Sequence, residues 1–175
     1  MSDADHPHDD RRGAVLSEDR EYRYQLSRRW DTTAPTAAFV MLNPSTADET
    51  DDDPTIRRCL GYAREWGCGT LLVGNLFAFR TSDPADLSAH PAPVGPENDA
   101  WLARIADRAD RVVAAWGTKG TLLDRDVAVR EHLDCQFYAL DTTKDGHPNH
   151  PLYQPSGIEP EPYVGPNDTG TGTDD

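Results

Sequence analysis

The chain has 175 residues, 31 acidic against 17 basic, for a formal charge of −14. That length suits one domain with a core of its own, and Cys59, Cys68 and Cys135, odd in number and without C-x-x-C spacing, indicate neither a disulfide framework nor a zinc or iron–sulfur site. No apolar run approaches the roughly 20 residues of a membrane helix, and the N-terminus lacks the positive and apolar regions of a signal peptide, so a cytoplasmic protein with no membrane partner is expected.

Residues 1–14 are rich in His, Asp and Arg and poor in apolar side chains, and are expected to form a disordered acidic tail. A single α/β domain is expected over residues 15–156. Within it, Tyr22-Arg23-Tyr24-Gln25-Leu26-Ser27 alternates like a half-buried strand. Ala37-Ala38-Phe39-Val40-Met41-Leu42 is a continuous apolar run, the pattern of a strand covered on both faces. Asp53-Pro54-Thr55 supplies an N-cap followed by Pro at the first helical position and opens a helix through about Glu65, with Gly67 and Gly69 at its end. Thr70-Leu71-Leu72-Val73-Gly74-Asn75-Leu76 is a second buried strand. A helix over 97–109 places Trp101, Leu102 and Ile105 on one face.

Arg111-Val112-Val113-Ala114-Ala115-Trp116 is the next strand, Gly117-Thr118-Lys119-Gly120 leads into a helix over about 121–133, and Gln136-Phe137-Tyr138-Ala139-Leu140 closes the sheet. Residues 157–175, rich in Gly, Pro, Asp and Thr, are expected to form a second disordered acidic tail. Strands alternating with helices imply right-handed crossovers, and so a three-layer α/β/α sandwich with a mostly parallel central sheet. Ligands of such sheets bind beyond the C-terminal ends of the strands.

Four stretches lie at those ends: Asn43-Pro44-Ser45-Thr46-Ala47-Asp48, Asn75-Leu76-Phe77-Ala78-Phe79-Arg80-Thr81, Trp116-Gly117, and Gly146-His147-Pro148-Asn149-His150-Pro151-Leu152-Tyr153. Their order resembles the uracil-DNA glycosylase superfamily, in which an N-P or D-P motif, a strand ending in Asn, a W-G turn and an H-P-S-P-L loop surround an extruded base. The wording from Asn43 through Asp52-Asp53-Pro54-Thr55-Ile56-Arg57-Arg58-Cys59, and across about residues 22–153, resembles domain-of-unknown-function family 1643, a name that implies no activity.

The glycosylase resemblance implies hydrolysis of an N-glycosidic bond, a DNA or nucleotide partner, and no cofactor. It makes Asn43 the holder of the water or the sugar face, Asn75 the reader of the base edge, His150 the stabiliser of the departing base, Phe77 or Phe79 a stacking partner, and Leu152 the prop for the vacated duplex. His147 is the alternative to His150, which is preferred because Pro151-Leu152 follows it directly. Pro44, Ser45 and Trp116 would line the base pocket, and Arg57, with Arg58, would reach a phosphate.

The chain departs from that pattern: Asn43 is an amide that cannot act as a general base, and Ser45 stands where Gly or Tyr is usual. Simpler accounts stand beside each assignment: Asn43-Pro44 as a turn, Asp53 as a helix cap, Arg57 and Arg58 as a solvated helix face, Lys119 as an exposed side chain. Asp48, Asp51, Asp52 and Asp53 crowd one loop but lack the spacing of a calcium loop, so no metal is expected. The net charge argues against DNA, although many acids sit in the tails, and a preference for Arg over Lys resembles proteins adapted to concentrated salt, where screening acts within about 3 Å at 1 M. Two rival readings are a non-catalytic binding module for a modified base, nucleotide or protein partner, and phosphate-ester chemistry using Arg57, Arg80 and the acidic loop.

Overall fold

The computed structural model describes residues 11–165. In chain order the elements are β1 (Arg11–Leu16), β2 (Arg23–Arg29), β3 (Thr36–Met41), α1 (Pro54–Glu65), β4 (Thr70–Asn75), α2 (Ala85–Ala89), α3 (Asn98–Arg108), β5 (Arg111–Ala114), a 3-10 segment (Thr118–Asp124) running into α4 (Arg125–Leu133), β6 (Phe137–Ala139), a 3-10 turn (Pro151–Tyr153) and β7 (Glu161–Tyr163). The strands form one sheet in the order β1-β2-β4-β3-β5-β6-β7.

The chain is mixed α/β, and its sheet is mixed as well. β4, β3, β5 and β6 are mutually parallel, whereas β1–β2, β2–β4 and β6–β7 pair antiparallel. Parallel neighbours need a crossover, and α1, α3 and α4 lie in the three connections that join them, while antiparallel neighbours need no helix between them. The expected mostly parallel sheet is thereby corrected: three of its six pairings are antiparallel, because strands were added at both flanks without crossover helices.

Two clusters of buried side chains lie against the sheet. Phe39, Met41, Leu71 and Val73 pack with Ile56, Cys59 and Tyr62 of α1, and Ala38, Val40 and Leu72 pack with Leu102 and Ile105 of α3 and Val129 of α4. Successive residues of β3 and β4 alternate between the clusters, as a strand's period of two requires. Gly74 lets α3 approach closely, since a Cβ there would lie 2.8 Å from Leu102 Cδ2 and 2.9 Å from Ile105 Cδ1. Asp53 caps α1, its Oδ1 accepting from the Ile56 N–H at 2.9 Å with Pro54 at the first helical position.

Three local expectations change. The strand expected at residues 22–27 does not alternate, for Arg23, Tyr24, Gln25 and Leu26 are all buried. Val15 pairs with Gln25 but Leu16 with Arg23, so Tyr24 is an extra residue and the strand is bulged there. The helix expected over 121–133 begins only at Arg125, because Leu123 and Asp124 take left-handed backbone angles (φ 55° and 56°). The tail boundaries also move. Residues 11–14 belong to β1, held by pairing with β2, and residues past 157 pack on α1 and form β7 against β6. Residues 1–10 and 166–175, the remainder of both expected tails, lie outside the described residues. Among the described residues no helix is long and apolar enough to cross a membrane.

Candidate functional site

Beyond the C-terminal ends of β3 and β5 lies a cavity of about 520 Å³. Three segments supply most of its wall. The first is the end of β3 and the turn after it, with Met41, Leu42, Asn43, Pro44 and Ser45; the second is the Trp116–Lys119 turn after β5; the third is the loop carrying His150 and Leu152. Arg23 of β2, Asp53, Thr55 and Ile56 at the start of α1, and Thr81, Ser82 and Pro84 complete it.

Asn43 is fixed by its amide. Nδ2 donates to the Pro44 carbonyl at 3.0 Å and to the Thr81 carbonyl at 2.8 Å, which orients Oδ1 as the group's remaining acceptor. Thr81 in turn donates its backbone N–H to the Pro44 carbonyl at 3.0 Å, so the two wall segments are cross-linked. Ser45 and Ser82 share a hydroxyl–hydroxyl hydrogen bond of 3.1 Å at the rim.

His150 reaches the cavity because the segment beyond it is clamped to α1. Tyr62 donates its hydroxyl to the carbonyls of Gln154 (3.0 Å) and Pro155 (2.7 Å), Arg58 Nη2 donates to the same Gln154 carbonyl, and Trp66 Nε1 donates to Ile158 O at 3.0 Å. The ring's Nδ1 accepts from the Leu152 N–H at 3.2 Å, which assigns the proton of the neutral imidazole to Nε2. Burial holds the His150 imidazole below the usual histidine range, with the Asp53 carboxylate acting against that shift.

Trp116 forms the apolar wall. It is 2% exposed, it meets Phe137 and Tyr163 edge-on, and its Nε1 has no hydrogen-bond partner. Gly120 packs directly on this ring, since a Cβ there would lie 2.3 Å from Trp116 Cδ1. Leu152, 38% exposed, sits at the mouth.

Asn43, Pro44, Ser45, Trp116, His150 and Leu152 thus share one cavity, and six other expected residues lie elsewhere. Asn75 ends β4 and is 1% exposed; it does not line the cavity, and neither polar atom of its side chain has a hydrogen-bond partner. Phe77, past the end of β4, is fully buried beside Leu76 in the cluster under α3 and α4 and does not line the cavity. Phe79 stacks on His90 with ring centroids 4.0 Å apart. Arg57 is exposed on α1, its Nη1 donating to the Asp52 carbonyl at 3.3 Å, and Arg58 is occupied by Gln154. His147 sits in a turn closed by the Thr143 N–H donating to its carbonyl at 2.8 Å, so of the two His-Pro pairs only the second faces the cavity.

Two wall residues, Asp53 and Arg23, were not among the expected residues of the base pocket. Asp53 was legible as a cap, and its capping position is what brings it to the cavity. Arg23 lay in an apparently alternating strand, and only the bulge at Tyr24 turns it to the α1 side, where its Nη1 donates to the Ala47 carbonyl at 2.9 Å. The cysteines offer no nucleophile, as burial pushes the thiols of Cys59, Cys68 and Cys135 up. Among the described residues no cluster of three or more His, Cys, Asp or Glu is placed to hold a metal ion.

The profile of a family described as proteins of unknown function, DUF1643, matches residues 23–152, and the chain belongs to that family. The match spans every cavity residue named above. No curated protein and no solved structure matches the chain.

Proposed function

We propose that this DUF1643 protein hydrolyses the N-glycosidic bond of a nucleobase-bearing substrate held in the cavity behind Asn43 and His150. The observation that carries the reading is the convergence of Asn43, Trp116 and His150, distant in sequence, on a single cavity within the roughly 300–1,000 Å³ range of small-molecule sites. The reading treats the sheet, with helices packed on both faces and a parallel centre, as a glycosylase-like three-layer scaffold.

In this hydrolysis a water oxygen bonds to the anomeric carbon as the carbon–nitrogen bond breaks. The base leaves with the bonding electron pair, and the proton lost by water ends on the base. Negative charge grows on the base oxygens and positive charge on the sugar. A neutral imidazole with its proton on Nε2 is a donor for the growing anion, and loss of one such preorganised donor costs about 10²-fold in turnover. Asp53 would face the cationic sugar from the start of α1. Asn43, being an amide, would orient water through Oδ1 and take no proton, so catalysis would rest on positioning and electrostatics.

The experiment is release of free base from uracil- and hypoxanthine-containing DNA and from free nucleotides and nucleosides, followed by mass spectrometry. Release by the intact chain, reduced about 10²-fold in His150→Ala, supports the reading. No release from any of these substrates overturns it. The engagement of both Asn43 amide donors by backbone carbonyls favours a second reading, a binding module without turnover. Saturable ligand binding with no product formed would select it.

A further inference from the structure

We infer that Arg23 forms an anion subsite in the cavity wall and that the ligand there is a phosphate-bearing mononucleotide rather than a nucleoside or a DNA duplex; the nucleotide half of this statement rests on the reading above, the anion half does not.

Three arginines of the fold are deeply buried, Arg23 at 2%, Arg28 at 3% and Arg125 at 8% exposure. Two of them have a carboxylate. Arg28 Nε donates to Asp52 Oδ1 at 2.9 Å and its Nη2 to the carbonyls of Asp48 and Asp51, while Arg125 Nη2 donates to Asp99 Oδ1 at 2.9 Å and its Nε to Leu76 O. Arg23 has none: among the described residues no carboxylate lies within 4.0 Å of it. Among the described residues its one hydrogen bond runs to Ala47 O, and its buried Nε has no partner. Among those residues, the buried arginine without a counter-anion is also the one that lines the cavity.

A guanidinium keeps its charge under these conditions, and burial only lowers its pKa to about 10, with Asp53 the acid acting on it most. A charge removed from water and left unpaired is destabilising, so the site gains when a ligand brings the missing anion. The β-bulge that presents Arg23 belongs to a feature class that re-aims side chains beside functional sites. Other donors stand in the same wall, namely the Ser45 and Ser82 hydroxyls, Thr55 and, at the exposed rim, Lys119. Asp53 is the opposing acid, and its Oδ1 is committed to the Ile56 N–H.

The size of the positive feature selects the ligand. Duplex binding requires neutralising many phosphates along a track, whereas this cavity offers Arg23 and Lys119 in a chain of net charge −14. Two cations suit one phosphate, and the remaining volume beside Trp116 suits a base and sugar.

The test uses the whole chain with inorganic phosphate, uridine and inosine, and their 5′-monophosphates, read by calorimetry and by the Arg23 Nε–H resonance in nitrogen-labelled protein. The expected result is saturable binding of inorganic phosphate that shifts that resonance. The monophosphates should bind about 10- to 100-fold tighter than the nucleosides, the range of a charge-assisted contact. Arg23→Gln should abolish both effects and Arg23→Lys restore part of them. Should Arg23→Gln fail to fold, the wild-type resonance and the nucleotide-to-nucleoside ratio still decide. Equal affinity for nucleoside and nucleotide, or no phosphate-dependent shift, overturns the anion subsite and leaves the base-directed reading standing. Binding of phosphate alone, with no gain from the base, overturns the mononucleotide and the base-directed reading together.

Discussion

The backbone N–H of Gly117 donates to the carbonyl of Pro148 at 2.8 Å, tying the turn after β5 to the loop that carries His150. Gly117 holds a φ of 74° with a ψ of −170°, a region that costs a side-chain-bearing residue roughly 1–3 kcal/mol, although nothing lies within 4 Å of the place a Cβ would take. Gly117→Ala should therefore lower stability by about 1–3 kcal/mol in chemical denaturation while leaving the link to Pro148 in place. Gly117→Pro removes the N–H and should weaken ligand binding as well.

Tyr62 clamps the segment beyond His150 through two carbonyls. Tyr62→Phe keeps the ring stack on Trp66 but removes both hydrogen bonds, for a loss of about 1–2 kcal/mol. Hydrogen exchange over residues 150–158 should quicken more than in the β3 and β4 strands. Uniform quickening would show that the hydroxyl supports the whole fold rather than this segment.

The pH dependence follows from His150. Its folded-state pKa lies below the unfolded value near 6.5, so between the two the unfolded chain binds more protons and stability rises with pH. The contribution is complete above about pH 6.5 and is lost as pH falls through the lower folded-state value. Denaturation at pH 5 and pH 7.5 should show a smaller difference for His150→Asn than for the native chain. An unchanged difference would place the titration elsewhere.

Asp53 has two roles that substitution separates. Asp53→Asn retains a side-chain oxygen for the cap, where Asn and Asp are equivalent, and should leave stability nearly unchanged, whereas Asp53→Ala should cost about 1 kcal/mol. If the carboxylate faces sugar charge, both variants lose turnover. Loss in Asp53→Ala alone would mean that only the cap matters.

Asn43→Asp introduces a carboxylate, yet it replaces an amide donor with an acceptor facing two carbonyls. A stability loss of about 1–3 kcal/mol and no gain in turnover are expected, measured by denaturation and base release. Increased turnover would show that the wall can rearrange.

Local pattern carried much of this architecture. The apolar runs at β3 and β4 and the Asp53-Pro54 cap announced their elements because those signals are made by neighbours in sequence. β1 opens on Arg11-Arg12-Gly13 with only Ala14-Val15-Leu16 apolar, and β7 is Glu161-Pro162-Tyr163, runs too short to announce a strand until a partner strand pairs with them. Likewise Asn43, Trp116 and His150 could be named from motif order, but Phe77 and Asn75 were misplaced because motif order does not say into which layer a side chain at a strand end turns.

By itself the amino-acid order determined the α/β class, the core strands and helices, and the polar and aromatic residues gathered at the strand ends, all consequences of periodicity and capping over a few positions. Tertiary structure alone decided that His150 rather than His147 faces the cavity, that Arg58 serves Gln154, and that a bulge turns Arg23 inward, with no carboxylate among the described residues to pair it. Those outcomes depend on register and on long-range hydrogen bonds, which arise only when segments distant in the chain are brought together.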